Sequence, residues 1–155
     1  MADQARTNPA FEPVFERLRA MLQPYAPELH VSADSDVWYG LDMAPETERN
    51  PTTWFGAVRR GKAYVSIYLM PVYVEPSLMD GASPELKRRM QGKSCFNFTK
   101  VDEPLFGELE AILRRGYEQT AGDPGWGAAK REERDMAYRK AMSDERRATR
   151  KATGR

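Results

Sequence analysis

Cysteine and histidine are almost missing from this chain: Cys95 and His30 are the sole examples among 155 residues. One cysteine excludes an intrachain disulfide and points to a reducing, cytoplasmic setting. One of each also excludes a structural zinc site, which takes four Cys or His ligands. No apolar run approaches the roughly 18–20 residues needed to cross a bilayer. The beginning, MADQARTNPAFEPVF, lacks the basic segment and apolar stretch of a signal peptide. No membrane association is therefore expected. No Ser/His/Asp order or paired-carboxylate motif stands out, so no catalytic residue and no cofactor is assigned. No segment recurs at a fixed period, which excludes a repeat architecture.

Two short motifs invite chemistry that their surroundings do not support. Gly92-Lys93-Ser94 resembles the end of a phosphate loop, but that loop needs a glycine five residues earlier, where Lys87 stands. The predicted order, helix and then strand, is also the reverse of what the loop requires. Gly92 is expected to cap the helix before it. A nucleophilic Cys95 would need a base or cation to lower its pKa. Lys93 and His30 are the candidates, and nothing in the sequence brings His30 close. Cys95 is expected to be a small buried apolar residue.

What is present is charge, and it is unevenly placed. Charged residues make up 30% of the chain and hydrophobic ones 41%, with a formal net charge of +1. From Ala128 to Arg155 there are 10 Lys/Arg against 5 Asp/Glu, leaving 14 basic and 18 acidic residues before Ala128. A mildly acidic body thus carries a basic tail. The length suits one domain able to bury a normal core.

The periodicities predict the elements. Phe11, Val14, Phe15, Leu18, Met21 and Leu22 form one stripe of an amphipathic helix that Pro24 and Pro27 end. Strands are expected at His30–Ser32 and Val37–Met43, with a turn over 33–36 and a loop from Met43 to Pro51. Thr52–Val58 and Lys62–Leu69 flank Arg59-Arg60-Gly61 as a hairpin. Val65, Ile67 and Leu69 then face the core, while Tyr64, Ser66 and Tyr68 face the other side. Ser83-Pro84 opens a short helix running through Met90, and Ser94–Phe98 is a strand. Asp102 caps a helix whose stripe is Leu105, Phe106, Leu109, Ile112, Leu113 and Tyr117, and Gly116 and the 121–127 linker end the domain. The tail is rich in helix formers and is expected to be a solvated helix that frays near Thr149. The resulting class is α+β: an antiparallel sheet of about five strands, helices packed on one face, and a charged C-terminal helix. The divisions are a flexible N-terminus over 1–8, an α+β domain over 9–120, a linker over 121–127 and a basic helical tail over 128–155.

Three sets of residues are candidate sites. The first is a polar and aromatic sheet face: Trp38, Trp54, Lys62, Tyr64, Ser66, Tyr68 and Tyr73, with Arg88, Arg89 and Lys93 nearby in the chain. Aromatic walls with a few convergent polar groups build small-molecule pockets, and this set suits a nucleotide or another anionic ligand. The second is the tail, where Arg146, Arg147, Arg150, Lys151 and Arg155 could contact the phosphates of nucleic acid or another acidic partner.

The third set follows from a resemblance. The segments WFGAVRRGKAYVSIYLMPVY, SPELKRRMQGKSCFNF and LFGELEAIL resemble the YdhG-like family of small bacterial domains of unknown function, over most of residues 11–118. The resemblance implies a helix, an antiparallel sheet and helices packed on it. Some relatives are described as frataxin-like iron chaperones, a role that needs hard oxygen ligands. The residues here that could supply them are Asp34, Asp36 and Asp42, with Glu46 and Glu48 in the loop. Asp34-x-Asp36 lacks the glycine and distal glutamate of a calcium loop and also suits an ordinary turn.

Overall fold

The computed structural model describes residues 8–43, 54–120 and 128–153. The expectations for residues 1–7, for the loop that carries Glu46 and Glu48, for the 121–127 linker and for Arg155 lie outside those residues.

Helix α1, Glu12–Leu22, forms where the stripe predicts it, and buries Val14, Phe15, Leu18, Met21 and Leu22. A 3-10 turn over Pro9–Phe11 leads into it, with the Asn8 side chain accepting from the Ala10 N–H at 2.9 Å. Asn8 is not frayed as expected: its carbonyl also accepts from Arg60 Nη2 at 3.2 Å. The α-helix ends at Leu22, just before the prolines, and Gln23–Glu28 follows as a 3-10 helix that includes Pro24 and Pro27.

The sheet has six strands: β1 His30–Asp34, β2 Trp38–Asp42, β3 Trp54–Arg60, β4 Val65–Leu69, β5 Met90–Gln91 and β6 Cys95–Phe98. Their order is β1-β2-β3-β4-β6-β5, with every neighbouring pair antiparallel. The extra strand is β5, which the sequence assigns to a helix. That helix, α3, stops at Arg88 (Pro84–Arg88), and two residues of strand show no alternation to detect. Gly92 therefore caps no helix. Its φ of +73° lies in the left-handed region, in the turn between β5 and β6, where glycine costs least. The β3–β4 turn also shifts, because Arg60 pairs with Val65 and the connection is Gly61–Tyr64, closed by Gly61 N–H to Tyr64 O at 3.0 Å. Arg59 is thus a strand residue.

One face of the sheet is core. Tyr39, Leu41, Val58, Val65, Ile67, Leu69, Phe96 and Phe98 are buried there against α1 and helix α4, Glu103–Thr120. Phe98 meets Phe106 of α4 edge to face, ring centroids 4.9 Å apart. A short helix α2, Met70–Val74, packs on α4. Helix α4 runs through Gly116 to Thr120. Asp102 accepts from Leu105 N–H at 3.2 Å as the expected cap. Ser83 caps α3, and Glu108 of α4 accepts from both its N–H and its Oγ at 2.7 Å.

Arg17 ties the two core helices together on the outside. It donates to Glu103 at 2.9 Å and to Glu110 at 2.7 Å, with its guanidinium 5.8 Å from the Phe106 ring centroid. Hydrogen bonds from Arg17 hold the Glu103 carboxyl below its ordinary range. A carboxylate with a depressed folded pKa stabilises the fold above its unfolded value, about 4.3 for Glu. That contribution is lost as pH falls through the folded value. The melting temperature of Arg17→Met should therefore fall less between pH 6 and pH 3 than that of the parent protein. Parallel melting profiles in a pH series would show that the pair contributes nothing.

Helix α5, Ala128–Thr153, is the basic tail. It does not fray at Thr149: the Thr149 and Thr153 hydroxyls bond back to Glu145 O and Thr149 O at 3.0 Å, and the helix continues to Thr153. It also touches the body. Tyr138 lies over Lys93, with Nζ 4.7 Å from the ring centroid, and α5 contacts α2. Among the described residues, no helix is long and apolar enough to cross a membrane.

Candidate functional site

The face of the sheet turned away from α1 and α4 is open, and strand register decides what stands on it. One row across the strands reads Trp38, Arg59, Ser66, Asn97; the next reads Gly40, Ala57, Tyr68, Cys95, Gln91. Gly40 and Ala57 are small, so the rings beside them bound a depression. A Cβ on Gly40 would sit 2.8 Å from Ser32 Oγ and 3.3 Å from Trp38 Nε1, so the indole leans over this glycine.

The depression is a hollow of about 660 Å³ whose walls include Trp38, Tyr64, Ser66 and Tyr68. Arg59, Arg60 and Lys62 stand around it, and no Asp or Glu is among the described residues that line it. Cations around an aromatic floor favour an anion. Trp38 and Tyr64 are each 37% exposed, so the rings present their surfaces to solvent.

A hydrogen-bond network stiffens the floor. Ser66 Oγ donates to Asn97 Oδ1 at 2.7 Å, and Asn97 Nδ2 donates to Gln91 Oε1 at 2.7 Å. The Tyr64 hydroxyl donates to the same Gln91 oxygen at 3.2 Å. The network links β4, β6, β5 and the β3–β4 turn through side chains as well as backbone.

Cys95 is not the core residue expected of it. It is half-buried at the edge of the hollow, with Sγ 3.4 Å from Asn97 Oδ1. Burial pushes its thiol pKa up, with the Ser66 and Tyr68 hydroxyls acting the other way. The thiol form is thus favoured, the opposite of what nucleophilic attack requires.

A second hollow of about 360 Å³ adjoins Trp54, Tyr73, Lys93 and Tyr138. Trp54 meets Tyr68 edge to face, centroids 6.2 Å apart, so this ring pair stands between the two hollows. Trp38 lies 6.4 Å from Tyr68 on the other side. Of the sequence candidates, Trp38, Lys62, Tyr64, Ser66 and Tyr68 share the first hollow, and Trp54, Tyr73 and Lys93 share the second. Arg88 joins neither: it is exposed on α3 and pairs with Glu85 at 3.3 Å. Sequence reasoning missed Arg59, Gln91 and Asn97. The alternation of Cys95-Phe96-Asn97-Phe98 does contain the signal for Asn97, since two buried phenylalanines put the intervening residues on the opposite face.

The acidic candidates are not brought together. Asp34 is opposite Tyr39 and Asp42 opposite His30, at the two ends of the β1–β2 hairpin. Three residues of strand put them about 10 Å apart. Asp34 is held by Arg19 at 3.1 Å, Asp42 is buried, and Asp36 lies in the connecting turn. Among the described residues, no group of three His, Cys, Asp or Glu side chains could hold a metal ion.

Comparisons with protein-family models, with curated proteins and with solved structures find no match to this chain.

Proposed function

We propose that this protein is a non-catalytic binding domain whose ligand is a small anion carrying a flat ring, of which a nucleotide is the simplest example. The observation that carries this reading is the first hollow: Trp38, Tyr64 and Tyr68 beside Arg59, Arg60 and Lys62, with no carboxylate among the described residues that line it. Rings supply a stacking surface and cations fix the charged end. The resemblance to the YdhG-like family assigns no activity, so the reading stands on the open face alone. Iron handling has less support, because Asp34 and Asp42 occupy opposite ends of a hairpin.

The test is a titration of the full chain with mononucleotides, followed by its tryptophan fluorescence. Saturable quenching is expected, and removing the Lys62 charge in Lys62→Ala should weaken binding about tenfold, the scale of one charge-assisted hydrogen bond. Arg88→Ala, outside both hollows, should leave it unchanged. No quenching at millimolar nucleotide, or equal effects of the two variants, would rule the site out.

A further inference from the structure

The two hollows and the rings between them point to a longer ligand than a single nucleotide. We propose that the open face is a platform for a short single strand of nucleic acid, which would run from the first hollow across Trp38, Tyr68 and Trp54 into the second. This rests on the anionic-ligand reading of the first hollow.

Three observations carry the extension. The ring planes are not parallel: Trp38 and Tyr68 are inclined by 35°, Tyr68 and Trp54 by 74°. One flat ring cannot lie on all three, whereas successive bases of a flexible strand can each take a different face. Cations stand at both ends of the aromatic row, Arg59 and Lys62 in the first hollow and Lys93 in the second, and no carboxylate is among the described residues that line either. Charge of one sign spaced along a groove matches a ligand with charge repeated along its length. Finally, Tyr138 brings α5 to the second hollow, and Arg139 and Lys140 follow it in the chain, exposed. A strand leaving the second hollow therefore meets the basic tail.

Duplex nucleic acid does not suit this surface, because its bases are stacked inside and their faces cannot reach the rings. The polar groups between the rings, Ser66, Gln91 and Asn97, are largely engaged with one another. Binding should therefore discriminate little between sequences, as stacking platforms do.

Fluorescence anisotropy with labelled oligo-dT of eight nucleotides tests this on the full chain, beside dTMP, a duplex of equal length and inorganic polyphosphate as competitors. The oligonucleotide is expected to bind at least about tenfold more tightly than dTMP, one additional stacked base being enough for that. Neutralising about three phosphates, its affinity should fall roughly a hundredfold per tenfold rise in salt. Tyr68→Ala should weaken both ligands. Lys93→Ala, an exposed substitution at the far hollow, should weaken the oligonucleotide severalfold and leave dTMP unchanged. Equal affinity for dTMP and oligonucleotide overturns the strand and leaves the single-ligand reading standing. Binding of neither overturns both. Competition by duplex or polyphosphate as strong as that by oligo-dT shows that the rings are unused, and also overturns the strand.

Discussion

Phe106→Ala is expected to destabilise the domain by about 3–5 kcal/mol, the range for removing a buried aromatic side chain. Phe106 is fully buried on α4 and packs edge to face on Phe98 of β6, so its ring joins the helix to the sheet. Its loss removes apolar burial and an aromatic pair together and leaves a cavity that Leu109 and Leu105 on the same helix cannot readily fill. Native domains are stable by only about 5–15 kcal/mol, so this one change could leave the chain close to unfolding. Urea denaturation followed by tryptophan fluorescence measures the difference. A loss below about 1.5 kcal/mol would mean that α4 does not pack on β6 as described, since even smaller truncations in cores cost that much. A destabilised Phe106→Ala should also lose ligand binding only in proportion to the unfolded fraction, because Phe106 is on the side of the sheet opposite the hollows.

Gly116→Ala is the second large effect, and its sign runs against helix propensity. In the interior of a helix, replacing glycine by alanine ordinarily gains about 1 kcal/mol. At Gly116 a Cβ would stand 2.5 Å from Pro71 Cβ and 3.0 Å from its Cγ. Pro71 is a rigid ring in α2, buried against α4, and it cannot swing aside as a long side chain would. Forcing α2 and α4 apart costs about 1–3 kcal/mol, enough to cancel or exceed the propensity gain. Gly107 on the same helix has nothing within 4 Å of its would-be Cβ, so Gly107→Ala should stabilise the protein by about 0.5–1 kcal/mol. Thermal melts should show a rise for Gly107→Ala and none, or a fall, for Gly116→Ala. If both rise, α2 does not approach α4 at Gly116.

The Gly116 contact marks where sequence reasoning fails. A glycine near the end of an apolar stripe looks like a helix stop, because free glycine disfavours helix and often caps one. Whether it stops the helix or admits a neighbour depends on what lies across from it, here a proline 45 residues earlier in the chain. The same applies to the 90–98 region. Met90 and Gln91 continue a helical composition after Arg88, yet they pair with Phe96 and Cys95 as a strand. A two-residue strand is stabilised by the β6 edge beside it, which its own residues do not encode. The β3–β4 turn, placed two residues early, shows a subtler failure: Arg59-Arg60-Gly61 contains the expected glycine, but Arg59 pairs with Trp38 of β2 and Arg60 with Val65 of β4, which extends β3 through Arg60.

The candidate site was half legible for a related reason. Alternation along β4 separates Ser66 and Tyr68 from Val65, Ile67 and Leu69, because successive side chains in a strand point to opposite faces whatever the partner strand. Trp38 and Lys62 were found through their chemistry rather than their position. Arg88 was included because it is near in sequence, and α3 carries it away from the face. The acidic set failed in the same manner: Asp34, Asp36 and Asp42 are close in number, and the hairpin that joins them sends Asp42 to its far end.

By itself, the sequence determined the properties that repeat locally. The 3.6-residue stripes of Phe15, Leu18 and Leu22 and of Phe106, Leu109 and Leu113 specify two core helices, and the two-residue alternation of β4 specifies a sheet with one apolar face. Composition determined the basic tail and the scarcity of cysteine and histidine. Only the tertiary structure decided that Trp38, Tyr68 and Trp54 form one row, that Arg59 and Gln91 join it, and that Tyr138 closes its far end over Lys93. Those juxtapositions depend on strand order and register between segments tens of residues apart. They are set by the burial of the opposite face, where packing Phe55, Ile67, Phe96 and Phe98 against the helices leaves a single register for each pair.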